Sequence, residues 1–341
     1  MYDSRTDSSL IRNLEHAMGP IAMQALHDPN VLEIMLNPCG MLWSEKFGAP
    51  MEHIGDINPI EGRQIVNLVA SALSTTITPE HPVVEGELPI DGSRFEGTIY
   101  PIVEGPSWTI RKKASKVFTL DEYEQSEIIT NNLKYFLNEA VFRKSNILVA
   151  GGTGSGKTTL VNALIQSISR SCPDDRIISM EDTYELQVHN LNKVMFRTSN
   201  NVDMQNITKI IMRYRPDRII VGEVRDGAAL DLLKAWNTGH SGGIATLHAD
   251  SALDALGRLE DLIQERIQAP MQRMISRAIH FVVFIQKTQQ GRRVTEVAHV
   301  NGYDFDKHKY NLEYVFKSDV RQLSEKWYQK YINPGEEQNA A

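Results

Sequence analysis

The sequence predicts an α/β fold, with a mostly parallel sheet covered by helices and preceded by a smaller α+β domain. Three observations support this prediction. From residue 146 onward, short apolar runs typical of buried strands alternate with stretches that carry apolar residues at helical spacing. A glycine-rich loop separates the first of these runs from the helical stretch that follows it. Before residue 112, by contrast, the strand-like runs are short and are broken by glycine and proline.

The first domain is predicted over residues 1–112. Two helical stretches, 9–26 and 62–73, alternate with strand-like pieces at 31–36, 41–43, 95–102 and 108–110. Asn37-Pro38-Cys39-Gly40 joins the first two pieces and predicts a hairpin, because these residue types favour tight turns. Helices and strands that are not interleaved in a regular order indicate an α+β domain.

The second domain is predicted over residues 126–341, after a connector at 113–125 that shows no strong periodicity. Its strand candidates are 146–150, 176–180, 218–222, 243–247 and 279–286, and its helical stretches are 128–142, 160–168, 204–212, 227–236 and 251–263. Residues from about 333 onward are predicted to form a frayed tail.

The composition argues against several classes of protein. The formal net charge of −7 argues against a protein that binds nucleic acid along its whole length, because such a protein is basic. Cys39 and Cys172 are too few and too far apart for a zinc module, which favours a reducing compartment. No apolar run approaches the ~20 residues that span a bilayer, and the start of the chain has no apolar signal core. We therefore expect a soluble cytoplasmic protein.

The glycine-rich loop matches the phosphate-binding pattern G-x-x-x-x-G-K-[ST] at every fixed position, and its strand–loop–helix context supports the match. Its glycines let backbone N–H groups surround phosphate oxygens at a helix N-terminus. Lys157 is predicted to neutralise the β- and γ-phosphates of ATP, and the Thr158 hydroxyl to bind Mg²⁺. The predicted nucleotide-binding residues are Gly152, Thr153, Gly154, Ser155, Gly156, Lys157, Thr158 and Thr159.

Polar clusters follow the later strands, where a parallel sheet binds its ligands. Glu181–Glu185 comes after the second strand of this domain, and Glu223–Asp226 comes after the third. The fourth strand is flanked by two further polar segments, Thr238–Gly243 and Thr246–Ser251. A nucleotide-hydrolysing site needs a carboxylate that polarises water, ligands for Mg²⁺, and cationic or donor groups around the γ-phosphate. These clusters carry the residue types for all three.

This set of motifs resembles the secretion-ATPase superfamily, the motors of conjugation and type IV secretion, type II secretion and type IV pili. The phosphate loop, or Walker A motif, is followed in the family's order by an acidic box at Met180–Thr183, an atypical Walker B motif at Arg215–Asp226 and a histidine box at Gly239–His248. Within the superfamily, this sequence resembles the conjugal-transfer branch most, at Leu14–Pro20, Phe95–Gly97 and Ala245–Ala249. The resemblance implies a RecA-like P-loop NTPase domain.

The Walker B motif has a glycine, Gly222, where an ordinary motif has its Mg²⁺-binding acid, and the superfamily shares this glycine. Mg²⁺ would then rely on Thr158, nucleotide oxygens and water, and on Glu181 or Glu223. The resemblance implies that Glu223 is the catalytic residue that activates or positions the attacking water. A structural ion pair between Glu223 and Arg225 is the alternative.

Other catalytic roles also follow from the resemblance. His248 would contact or sense the γ-phosphate, with capping of a strand as the alternative. Arg94 and Arg111, in the first domain, would close over the phosphates, with solvated surface arginines as the alternative. The roles of four further residues stay open: His240 as a ligand or a packing residue, and Arg213, Arg215 and Arg218 as surface charges or contacts to a neighbouring subunit.

The resulting prediction is a Mg²⁺-dependent ATPase, assembled as a homohexamer, that powers assembly or substrate transfer in a conjugative type IV secretion system. Its partners would be inner-membrane components of that apparatus. The run Arg111-Lys112-Lys113 is a weak signal for contact with acidic lipids, so peripheral membrane contact is part of the prediction. A nucleotide-gated assembly scaffold, a type IV pilus or type II secretion motor, and direct DNA translocation are the alternatives, the last disfavoured by the acidic charge.

Overall fold

The structure, a computed structural model, describes residues 4–46, 49–113, 117–199, 201–318 and 324–332. The chain divides into two compact units, Met1–Lys116 and Val117–Ala341. The predicted tail from Asn333 and part of the predicted connector lie outside the described residues. No helix among the described residues is long and apolar enough to cross a membrane.

The first unit is built on a six-stranded sheet in the order β3-β2-β1-β6-β5-β4. Its helices are α1 (Ser4–His27) and α2 (Pro59–Ala72), and its strands are β1 (Val31–Leu36), β2 (Met41–Lys46), β3 (Glu52–Asp56), β4 (Val83–Glu87), β5 (Arg94–Thr98) and β6 (Ser107–Arg111). The predicted hairpin is confirmed, because Leu36 pairs with Leu42 in antiparallel register. Gly40 forms its turn at φ 92, a conformation that favours glycine.

The second unit has an eight-stranded sheet in the order β14-β13-β12-β7-β11-β10-β8-β9. Its strands are β7 (Ile147–Ala150), β8 (Ile177–Glu181), β9 (Lys193–Arg197), β10 (Arg218–Val221), β11 (Ile244–Leu247), β12 (Phe281–Thr288), β13 (Gly291–Asp304) and β14 (Lys309–Lys317). Its helices are α3 (Leu120–Gln125), α4 (Asn131–Phe142), α5 (Lys157–Ser171), α6 (Met204–Ile211), α7 (Ala228–Asn237), α8 (Ala252–Gln264), α9 (Gln272–Ala278) and α10 (Glu325–Tyr331). The mixed α/β fold is confirmed.

All neighbouring strands from β12 to β9 in this order pair in parallel, whereas β13 and β14 extend the sheet with antiparallel pairs. The five predicted strands correspond to β7, β8, β10, β11 and β12. Strands β9, β13 and β14 were not predicted. These strands lie towards the sheet's ends and mix exposed polar residues with apolar ones, so they lack a continuous apolar run.

The predicted connector at 113–125 differs from the structure. Its last six residues form α3, which begins with a capping box between Thr119 and Glu122. Leu120 and Tyr123 are buried in the apolar core of the second unit. Only two apolar side chains of this short helix are buried, too few to produce a periodicity that sequence analysis can detect.

The parallel strands determine where the candidate site lies, because their carboxyl ends meet at one edge of the sheet. Along β7, Ile147 and Val149 pack into one apolar layer, while Leu148 and Ala150 pack into the other. Helices therefore cover both faces of the sheet, and the strand ends are left for polar loops. The glycine-rich loop follows β7, and the acidic and histidine clusters follow β8, β10 and β11.

Candidate functional site

The glycine-rich loop turns sharply between β7 and α5. Gly154 has φ 68 and Gly156 has φ 97, both in the left-handed region that favours glycine. Gly156 caps α5 without any side-chain hydrogen bond, so the first N–H groups of the helix are not taken up by a capping side chain. A Cβ on Gly151 would collide with the carbonyl oxygen of Ile285, so the backbone at the start of the loop passes tightly against β12.

Lys157 is the first residue of α5 and is buried. Its ammonium group donates hydrogen bonds to the carbonyl oxygens of Gly151 and Gly152, each at 3.0 Å. The same nitrogen lies 3.3 Å from Nδ1 of His248. The loop therefore curls around the lysine, and the fold brings together two predicted site residues that are far apart in the sequence.

A chain of polar contacts continues from His248 along the edge of the sheet. Nε2 of His248 lies 3.3 Å from Oε1 of Glu223. Arg225 donates to Oε2 of Glu223 at 2.8 Å and to Oδ2 of Asp182 at 3.2 Å. The Thr198 hydroxyl donates to Oδ1 of Asp182 at 3.0 Å. Glu223 is thus held between a histidine and an arginine, beside the lysine of the loop.

The electrostatics of Glu223 favour its ionised form. Burial raises the pKa of this carboxyl, but the hydrogen bond from Arg225 and the charges of Arg225, His248 and Lys157 outweigh burial and hold the pKa below its usual value. The hydrogen bond to Glu223 in turn raises the pKa of Arg225. Glu223 is therefore a carboxylate at neutral pH, and the ion pair with Arg225 expected as the alternative is formed.

Glu181 ends β8 and is buried, with Oε1 accepting the backbone N–H groups of Glu185 and Leu186, each at 2.9 Å. Its side chain lies against Gly222, where an added Cβ would be 2.9 Å from Cγ and 3.2 Å from Oε1 of Glu181. Gly222 therefore makes room for Glu181. A carboxylate from the neighbouring strand occupies the space into which the usual Walker B acid would project.

Arg292, which was not predicted as a site residue, lies in β13 beside the glycine-rich loop. Its Nε donates to the carbonyl oxygen of Gly154 at 3.1 Å. Its Cδ lies 3.1 Å from the position that a Cβ on Gly156 would occupy. No local sequence signal could have indicated this contact, because the arginine is separated from the loop by several strands and helices.

The structure describes all four residues whose roles stayed open. His240 places Nδ1 3.1 Å from the carbonyl oxygen of Pro216, a backbone-packing contact. Arg218 is neither a surface charge nor exposed to a neighbouring subunit, because it is 1% exposed and pairs with Asp175 at 2.6 Å. A guanidinium buried at the start of β10 needs a paired carboxylate, which Asp175 supplies. Arg213 and Arg215 are exposed.

Arg94 and Arg111 lie in the first unit, directly opposite each other on the neighbouring strands β5 and β6. Arg94 pairs with Glu85 at 2.6 Å, and Arg111 lies 4.0 Å from Glu33. Arg94 is the less exposed of the two side chains, at 23% against 49%. The sheet register therefore brings the two arginines onto one face, each beside a carboxylate of its own unit.

Comparisons with known proteins identify the family of this chain. The family described as Type II/IV secretion system protein matches residues 62–305. The chain is similar to the conjugal transfer protein TrbB of Rhizobium radiobacter, with 47% identity over 303 residues that cover 89% of this chain and 94% of the relative. It is also similar to the probable conjugal transfer protein TrbB of Sinorhizobium fredii, with 44% identity over 332 residues, 97% of this chain and all of the relative.

A solved structure of the pilus retraction motor PilT with bound ADP has a TM-score of 0.60 and 18% identity, and the match covers 88% of this chain and 83% of that one. At this identity the similarity concerns the fold alone. The family match and the two relatives, by contrast, extend over most of the sequence and include the phosphate loop and the acidic and histidine boxes. The chain belongs to the type II/IV secretion system protein family and is a secretion ATPase.

Proposed function

We propose that this protein is a Mg²⁺-dependent ATPase motor with a RecA-like core, which powers assembly or substrate transfer in a conjugative type IV secretion system. The observation that carries the proposal is the cluster of Lys157, His248 and Glu223 beside the glycine-rich loop. The two conjugal transfer relatives support the choice of system. We further propose that the protein works in the cytoplasm, peripheral to inner-membrane components of the apparatus.

Each group of residues in the site would have a separate role in hydrolysis. Backbone N–H groups of the loop, from Gly152 to Thr159, would bind the phosphates, with Lys157 facing the β- and γ-phosphates. Glu223 would accept the proton of the attacking water or orient that water, since its low pKa keeps it ionised. His248, between Lys157 and Glu223, would contact the γ-phosphate.

The donor set around the loop fits Mg²⁺, which prefers oxygen ligands and keeps several waters. Thr158 would supply a hydroxyl from the first turn of α5. Glu181 would supply the carboxylate that Gly222 lacks, since its side chain fills the space over that glycine. When bound, the ion would neutralise charge on the phosphate oxygens.

Genetic complementation tests the proposal against its main alternative, a nucleotide-gated scaffold. A donor strain that lacks this gene should lose conjugative transfer, and the wild-type chain should restore it. Glu223→Gln, which keeps the size of the side chain, should bind ATP without turning it over and should fail to restore transfer. If Glu223→Gln restores transfer, nucleotide binding is sufficient for transfer, and the proposal that the protein is a motor is wrong. If the wild-type chain serves pilus retraction but not transfer, the system is a different one.

We predict that ATP favours a homohexamer in which Arg94 and Arg111 act on the phosphates. A ring lets each subunit cover the exposed side of its neighbour's site. Arg94→Ala and Arg111→Ala should slow turnover more than they weaken nucleotide binding, because negative charge on the γ-phosphoryl oxygens must be stabilised in the transition state. Light scattering with ATP, together with binding and turnover assays, measures both effects. A strict monomer, or unchanged turnover in both variants, would contradict this prediction.

We predict that Arg225→Met moves the acid limb of the kcat/KM profile to higher pH. Arg225 makes the largest contribution to lowering the pKa of Glu223, and without it only the charges of His248 and Lys157 oppose the rise that burial causes. A base with a low pKa stays active as the pH falls, so the wild-type limb should lie below the ordinary value of 4.5. Arg258→Met, at an exposed position on α8, is the control. Coincident profiles for the wild type and Arg225→Met would mean that Glu223 does not act as the titrating base.

A further inference from the structure

A groove of about 460 Å³ lies between α9 and the end of β13 in the second unit. We call it the basic groove. Its polar and exposed lining residues are Arg273, Ser276, Arg277, His299, Asn301 and Phe305. None of these residues belongs to the phosphate loop or to the acidic and histidine boxes, so the motifs of the sequence analysis do not account for the groove.

The basic groove lies at the edge of the sheet opposite the nucleotide loop. His299 pairs with Phe281, the first residue of β12. Since β12 runs parallel to β7, the start of β12 lies at the end of the sheet where β7 begins. The glycine-rich loop follows the other end of β7. A ligand in the basic groove would therefore leave the ATP site unobstructed.

The charges of the basic groove come from Arg273 and Arg277, which are exposed and lie one helical turn apart on α9. Within the described part of the chain, neither guanidinium has an ion pair or a side-chain hydrogen bond. Several other arginines of this unit are paired; Arg266, for example, contacts Asp231 and Arg293 contacts Glu127. Two adjacent uncompensated guanidiniums in a chain of net charge −7 indicate a surface suited to an anionic partner.

The opposite wall of the basic groove is aromatic. Phe305 is 56% exposed and meets Tyr303 edge to face, with the ring centroids 5.0 Å apart. Beside them, a β-bulge in β13 places Asn301 and Gly302 opposite a single residue of β14. A bulge re-aims side chains and interrupts the regular pairing of the strand. The wall thus offers an apolar surface and an exposed amide next to the two arginines.

We propose that the basic groove docks an acidic peptide segment of a partner protein. Carboxylates of the segment would pair with Arg273 and Arg277, since arginine binds carboxylates in bidentate geometry. An apolar side chain of the same segment would pack on Phe305. A nucleic acid fits less well, because its affinity depends on many phosphate contacts and the groove offers only two arginines.

A peptide-display selection on the full-length protein tests this inference. A random peptide library is panned on the wild-type chain and on R273E/R277E. We expect the wild type to enrich peptides that combine Asp or Glu with an aromatic residue, and R273E/R277E to lose them. An enriched peptide should bind R273E/R277E about tenfold or more weaker in fluorescence anisotropy, and added salt should weaken its binding to the wild type.

The control K209E/R258E changes the net charge equally at exposed positions on α6 and α8, and it should bind the peptide like the wild type. R273E/R277E should keep wild-type ATP turnover, which separates this docking surface from the ATPase site. Enrichment without acidic residues, no enrichment, or equal binding by R273E/R277E would overturn the inference. Arginine-dependent binding of a single-stranded oligonucleotide without acidic peptides would make the groove a nucleic-acid site. A changed oligomeric state of R273E/R277E would make it a contact between copies of this chain.

Discussion

Lys157→Ala is expected to abolish ATP hydrolysis and to weaken ATP binding roughly 10- to 100-fold, the loss expected for a hydrogen bond from a charged group. Lys157 is the buried cation that the loop carbonyls of Gly151 and Gly152 surround. A methyl group in its place would leave the β- and γ-phosphates without that charge. Isothermal titration with ATP and steady-state turnover of the purified variant measure the two effects.

Two controls separate a loss of function from a loss of fold. Lys209→Ala removes an exposed lysine on α6 and should leave binding and turnover unchanged. Thermal unfolding of Lys157→Ala should remain a single cooperative transition, because the apolar core on either side of β7 does not depend on the lysine. Turnover like that of the wild type in folded Lys157→Ala would show that the glycine-rich loop is not the nucleotide site.

Glu223→Gln is expected to retain ATP binding and to lose turnover by roughly 10²-fold or more, the loss associated with removing a catalytic base. The amide cannot accept the proton of water, and it weakens the charged pair with Arg225 while keeping nearly the same shape. Single-turnover kinetics and binding of a labelled ATP analogue give the two quantities independently. The effect should appear in kcat, because the interaction that is lost belongs to the transition state.

Glu265→Gln, at an exposed position just after α8, is the matched control and should behave like the wild type. If Glu223→Gln weakens binding and turnover to the same extent, Glu223 is a metal ligand or a structural partner of Arg225. If Glu181→Gln, but not Glu223→Gln, weakens the dependence of ATP binding on Mg²⁺, the result supports the proposal that Glu181 binds the ion and Glu223 acts on the attacking water. Mg²⁺ titrations of both variants distinguish these cases.

The phosphate loop and the positions of five parallel strands along the chain could be predicted from the sequence because both are local features. The loop is a continuous strand–glycine–helix segment whose backbone conformation depends on glycines at specific positions, such as Gly154 and Gly156. Buried parallel strands are continuous apolar runs, so the five strands from β7 to β12 that were predicted stood out from their surroundings. The positions of Glu181, Glu223 and His248 at or just after the ends of those strands followed from the same pattern.

The tertiary structure alone decided which of these residues meet. Lys157 and His248 are brought together because β7 and β11 are adjacent in the sheet, although they are not consecutive in the chain. Arg292 reaches the loop only because β12 and β13 fold back beside it. Arg218, which the sequence left as a surface or interface charge, is buried because Asp175 compensates its charge. Local patterns determine strands, turns and glycine conformations, whereas pairing between distant side chains depends on sheet order and burial, which no short stretch of sequence encodes.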